Sequence, residues 1–272
     1  MGKMLIFEFK NCIKKKSCKV IFSFLFFISI SGYLVTCYEF YGDHLTFIRS
    51  AHEVCIIQGV YSRFLKNIEV LLLPLICCII YSDSYYIEYK SGVYKSILTR
   101  TDRKNYIVSK AIVIFTIVFI SFFLTLFLNQ VLCLIAFPTE GFDNNYALPA
   151  YDIGFQNFAQ GKLFDLIRLQ HPFLYNSLFI VIISIFASVF ALLGYSISLV
   201  YKKNRLLAVG IVYIAYIVSE VCLPLIGMED FAISNYLSAS SYTSSLILGL
   251  VLLIMFSISI FIIFIGINRP EI

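Results

Sequence analysis

Apolar residues concentrate in six long blocks, at about 20–38, 68–88, 107–137, 173–201, 206–226 and 244–267, with polar residues gathered between them. Each block reaches or exceeds the ~20 residues that cross a bilayer core as a helix. The pattern predicts an all-α integral membrane protein with six transmembrane helices. Six spans consume roughly half of the chain, so residues 1–272 read as one membrane domain. Two shorter stretches also carry helical periodicity. In residues 3–16, Leu5, Phe9, Cys12 and Ile13 recur at helical spacing, with Glu8, Lys10 and Lys14–Lys16 around them. This suits a helix in the membrane interface, its lysines beside anionic lipid head groups. In residues 93–100, Val93, Tyr94, Ile97 and Leu98 share one helical face, and Lys95, Ser96 and Arg100 take the other. Gly92 breaks the chain before this unit, and Thr101 or Asp102 is placed to cap the helix that follows. Pro172 is placed to open the fourth span.

Charge fixes the expected orientation. The N-terminal segment, residues 84–110, 201–205 and 268–272 together hold 16 of the 21 lysines and arginines. Lys and Arg stay on the cytoplasmic side, so both termini are expected in the cytoplasm. Composition agrees with a membrane chain: 60% of residues are hydrophobic and 14% charged, and the mean hydropathy is +0.88. The basic residues flank spans, so the net charge of +5 is a topology signal and no nucleic-acid partner is expected. Lys14-Lys15-Lys16 precedes an apolar run longer than a signal-peptide core, and no small-x-small cleavage site follows. The first block therefore reads as a retained span. Of the eight cysteines, only Cys55 falls well within an outer loop, which supports no disulfide framework.

Chemistry within the chain is sparse. No G-x-x-x-x-G-K-[ST], H-E-x-x-H or G-x-S-x-G motif is present, so no nucleotide, metal or acyl chemistry is expected of this chain. His44 and His52 lie in the first outer loop and match no metal-ligand spacing; they read as solvated. Pro74 lies inside the second span. The second outer loop, 138–172, is long enough to carry helical pieces of its own. Asp83, near the inner end of span two, and Glu220, near the outer end of span five, are the ionisable residues closest to membrane depth. Both are candidates for translocation or gating, against snorkelling or pairing with another helix.

The segment from Pro74 through Asp83, Glu88, Gly92, Arg100 and Tyr106 to Lys110 resembles the ABC-2 type transporter permeases. In that family a Glu ends span two, a Gly follows, and a short helix, an Arg-rich turn, a Tyr and a Lys lead into span three. The resemblance covers the chain in topology and about 83–110 in motif. FEFKNCIKKKS (7–17) and TRTDRKNYIVSK (99–110) are similar to small Gram-positive permeases that export peptides or confer bacteriocin immunity. One departure is that the longer outer loop here joins spans three and four, while 227–243 is short.

What the resemblance implies is a permease subunit in a bacterial plasma membrane. It would work with a second permease, identical or different, and a separate cytosolic ATPase that holds ATP and Mg. No cofactor would be bound by this chain, which would have no enzymatic site of its own. The family's coupling helix would correspond to Gly92–Arg100. Val93, Tyr94, Ile97 and Leu98 would dock in the ATPase, Lys95 and Arg100 would line the rim, and Glu88 would pair with a Lys or Arg of the N-terminal helix. The cargo would be a peptide or an amphipathic, lipid-like molecule. Alternatives are an ATP-independent channel or secondary transporter, and a non-transport immunity or scaffold protein.

Overall fold

A computed structural model describes residues 1–43, 48–139, 161–201, 205–239 and 242–268. Six helices in it are long and apolar enough to cross a membrane. We label the helices in chain order. α1 is Gly2–Lys14 and α2 is Lys16–Glu39. α3 is Ala51–Val54, α4 Arg63–Tyr81, α5 Ser84–Lys90 and α6 Val93–Leu98. α7 is Arg103–Ala136, α8 Asp165–Gln170 and α9 Pro172–Val200. α10 is Arg205–Leu225, α11 Ile233–Tyr236 and α12 Ser245–Asn268. Five of the apolar blocks each coincide with one long helix to within a few residues, because block length rather than capping chemistry decides these elements; the second, 68–88, is divided between α4 and α5. Thirty-four residues in α7 exceed a perpendicular crossing, as the long third block implies.

α9 is the central helix, packed on α7, α12, α4 and α10. Its burial needs close approach. A Cβ at Gly194 would stand 2.5 Å from Cys78 Sγ on α4, so glycine is what lets these helices touch. Buried Ser184 and Ser188 bond back to the carbonyls four residues earlier, so their hydroxyls stay satisfied in an apolar core. α10 and α12 lie outermost and expose Ile214, Val218, Leu250, Phe261 and Phe264. Such a surface is stable against lipid or another apolar partner, not against water.

Polar side chains join the ends of the helices that lie away from α1. Asn129 on α7 donates to Ser29 O on α2 at 2.8 Å and accepts from Ile56 N–H at 2.8 Å. Asn176 on α9 donates to His52 O at 2.8 Å. These bonds draw residues 51–59 into the bundle, where Ala51, Cys55, Ile56 and Ile57 are buried. His52 departs from the expectation of a solvated side chain. It is 9% exposed and stacks edge-on against Phe173, and burial lowers its basicity. His44 lies outside the described residues, as do 140–160 of the long second outer loop; its described part does carry a helix, α8. All eight cysteines are free thiols.

Candidate functional site

The residues that carry the family resemblance gather at one end of the bundle, where α1, α4, α5, α6 and α7 meet. α4 ends at Tyr81 and α5 restarts at Ser84, so the chain bends through Asp83. The bend is fixed to the central helix: Ser82 Oγ donates to Ala191 O at 2.9 Å, and Ser198 Oγ donates to Ser82 O at 3.0 Å. α5 ends at Lys90, and Gly92, just before α6, has a φ of +77°, the left-handed conformation that glycine adopts without a Cβ penalty. The chain then turns back into α6. Asp102 occupies the position before α7 with extended backbone but makes no side-chain cap bond.

Lys110 is the centre of this end. It is fully buried on α7, with Glu88 Oε1 at 2.6 Å and Glu8 Oε2 at 3.2 Å. Tyr106 OH donates to Glu88 Oε2, and Tyr81 OH donates to Glu8 Oε2 at 2.8 Å. The ammonium also lies 5.1 Å and 5.3 Å from the ring centroids of Tyr106 and Tyr81. Beside this group Lys15 pairs with Asp83 and sits over the Tyr81 ring. One buried cation thus ties α1 and α5 to α7, and a half-buried one, Lys15, ties the α1–α2 joint to the α4–α5 bend. Burial pushes the Glu8 carboxyl above its ordinary range; the Lys110 charge pulls it down, and the Glu88 charge pushes it up. Glu8 Oε1 has no hydrogen-bond partner among the described residues.

This arrangement corrects two sequence expectations. Glu8 was expected on the polar side of the N-terminal helix, yet it is as buried as its neighbours Met4 and Cys12, while Ile13 is exposed. The reason is electrostatic: a buried Lys110 requires an anion, and position 8 faces it. Glu88 was expected to pair with a base of α1. It pairs with Lys110 of α7 instead, and α1 supplies the opposing carboxylate.

α6 divides its side chains. Tyr94, grouped with the outward docking face, turns inward and is 2% exposed, with Tyr85 at 5.4 Å and Tyr106 at 5.6 Å between ring centroids. Ile97 and Leu98 are half-buried, whereas Val93, Lys95 and Arg100 are exposed. The outward surface is therefore one aliphatic side chain with two cations around it.

No family model and no curated protein matches this chain. The site must be read from its own geometry. Its charged groups are paired with one another. Among the described residues no three His, Cys, Asp or Glu side chains come together to hold a metal. The cluster links α5 to α7 and α1 through Glu88, Lys110 and Glu8. Asp83 belongs to this network through Lys15. Glu220 does not. Its carboxylate accepts from Ile233 N–H at 2.8 Å, Ser234 N–H at 3.1 Å and the Ser234 hydroxyl, so it caps α11 near the opposite end of the bundle.

The sequence reading missed Glu8, Lys15 and Tyr81 as working residues, and had Tyr106 and Lys110 only as parts of the motif. A signal was present for one of them: Met4, Glu8 and Cys12 are spaced four apart, one stripe of a helix.

Proposed function

We propose that this chain is the membrane-spanning subunit of an ABC-2 type exporter, acting with a second permease and a separate cytosolic ATPase. Its six apolar helices fit a multi-pass membrane protein, and the bias of Lys and Arg supports an orientation with both termini and α6 on the cytoplasmic side. α1 would lie in the cytoplasmic interface, since Ile6, Phe7 and Ile13 remain exposed alongside Lys3, Lys10 and Lys14.

The observation that carries the reading is the α5–Gly92–α6 hairpin. Its outer surface, Val93 with Lys95 and Arg100, is free for a partner, while its base is bound through Glu88 to Lys110 at the start of a span. A short helix with this anatomy is suited to receive force from a protein on one side and deliver it to spans on the other. An aliphatic anchor with a charged rim is ordinary interface chemistry. Closure of the ATPase around ATP would press on α6, and the α4–α5 bend and α7 would respond together. The cargo is a peptide or an amphipathic, lipid-like molecule, in keeping with span surfaces of Phe, Ile and Leu. Glu220, on which an ATP-independent pathway would depend, is engaged by three donors in α11.

The test is Val93→Asp combined with Lys95→Glu. Both side chains are exposed, so the spans fold unchanged. The expected result is loss of ATPase association and of ATP-driven export with wild-type thermal stability. Export at the wild-type rate in this variant sinks the proposal.

A further inference from the structure

The end of the bundle away from Lys110 is poor in cations, and it spends them in one place. The segments 39–67, 138–172 and 227–243 hold five lysines and arginines in all: Arg49, Arg63, Lys66, Lys162 and Arg168. Four of these five, all but Arg49, line a single cavity of about 290 Å³. They come from separate parts of the chain. Arg63 and Lys66 open α4, Lys162 precedes α8, and Arg168 lies within α8. Lys162 is held there by a backbone bridge to Tyr242, with its ammonium 5.4 Å from that ring centroid. Like charges do not converge on a small volume without a compensating anion.

Of the four, Lys66 and Arg168 have a carboxylate within ion-pair distance. Asp165 Oδ1 accepts from Arg168 Nε at 2.6 Å. Lys66 is 5% exposed, yet its only hydrogen bond among the described residues is to Glu69 Oε2 at 3.4 Å, longer than an ordinary N–H···O bond. Arg63 and Lys162 have no carboxylate within ion-pair distance among the described residues. A buried ammonium with three donors and one stretched contact is costly unless a ligand completes it. The cavity therefore has a deep cation, Lys66, and two further cations nearer its mouth, Arg63 and Lys162.

We propose that this cavity binds a phosphate group. A tetrahedral phosphate offers acceptor oxygens in several directions, which suits cations arriving from α4 on one side and from Lys162 and Arg168 on the other. A planar carboxylate would satisfy fewer of them. The volume accommodates a phosphate and part of the group that carries it. Two sources share this chemistry, a phospholipid head group and a soluble phosphate compound. The proposal stands apart from the transport reading, because it concerns binding by this chain alone.

The experiment uses the full-length protein in a zwitterionic detergent and in nanodiscs. Thermal unfolding is followed with inorganic phosphate against sodium chloride at equal ionic strength. Native mass spectrometry records retention of phosphatidylglycerol against phosphatidylcholine. Each is repeated on Arg63→Gln/Lys162→Gln, whose side chains make no ion pair among the described residues, and on Arg49→Gln as a control outside the cavity. Stabilisation by inorganic phosphate, weakened about tenfold or more in the double variant and unchanged in the control, identifies a soluble phosphate ligand. Selective retention of phosphatidylglycerol, lost in the double variant only, identifies a lipid head group. Absence of both effects, or effects that survive the double substitution, overturns the proposal. If the double variant does not fold, Lys162→Gln alone supplies the same readout.

Discussion

Replacing Lys110 by Met tests the architecture of the candidate site most sharply. The substitution keeps the volume of the side chain and removes the charge that Glu8 and Glu88 share at 3.2 Å and 2.6 Å. Removing one partner of a buried ion pair costs about 3–5 kcal/mol, because the other is left uncompensated. Glu88 keeps some access to water, its side chain being 17% exposed, whereas Glu8 has none. The larger part of the cost therefore falls on Glu8. At roughly 2–4 °C per kcal/mol for a chain of this size, unfolding should come on the order of 10 °C earlier. The cost should depend on pH in a definite direction. Burial already raises Glu8 above its reference value of 4.5, so above that pH the folded state holds more protons than the unfolded state. Stability that depends on this proton is lost as pH rises through the raised value. Without Lys110 the value rises further. The deficit of Lys110→Met should thus be greater at high pH than at low pH, and Glu8→Gln in the same chain should remove most of it. Unfolding can be followed with a thiol-reactive fluorogenic dye, since six of the eight cysteines are buried, after Cys222→Ser removes the exposed one. A variant that melts with the wild type, or a deficit equal at high and low pH, refutes the reasoning.

Three further outcomes are expected. Gly194→Val should separate α9 from α4 and lower stability by about 1–3 kcal/mol, and Cys78→Ala should restore part of it; no loss in a thermal melt contradicts the close approach at that point. Tyr94→Ser should cost about 3–5 kcal/mol, as for other buried aromatic truncations, while Val93→Ser is near neutral; equal melting temperatures contradict the inward turn of Tyr94. Glu220→Gln should speed proteolysis of the segment around Ile233 by weakening the α11 cap, with little effect on export; an export defect with unchanged proteolysis contradicts the capping role.

What the sequence could and could not reveal follows from the range of the forces involved. The six long helices were legible because each rests on a contiguous apolar block. Gly92 was legible as a break because its left-handed φ is a local demand, and Pro172 as a helix start for a similar reason. Glu8 was legible only as a position on the Met4–Glu8–Cys12 stripe; its partner was not, since that cation lies about a hundred residues away on α7. Tyr94 had the right period for the outward face, and only its edge-on and tilted ring contacts with Tyr85 and Tyr106 turned it inward. The burial of 51–59 depends on Asn129 and Asn176, whose partners are equally remote in the chain. The scarcity of cations among the outer segments was visible from composition. Their convergence on one cavity required the packing of α4 against the segment before α9.

The central claim is that this chain couples to a separate ATPase. Affinity purification from native membranes in mild detergent, with mass spectrometry of what accompanies the protein, tests it directly. A P-loop ATPase at stoichiometric yield, absent when Val93→Asp/Lys95→Glu is the bait, is the predicted result. A protein recovered without an ATPase, under conditions that keep other membrane complexes intact, would contradict the claim.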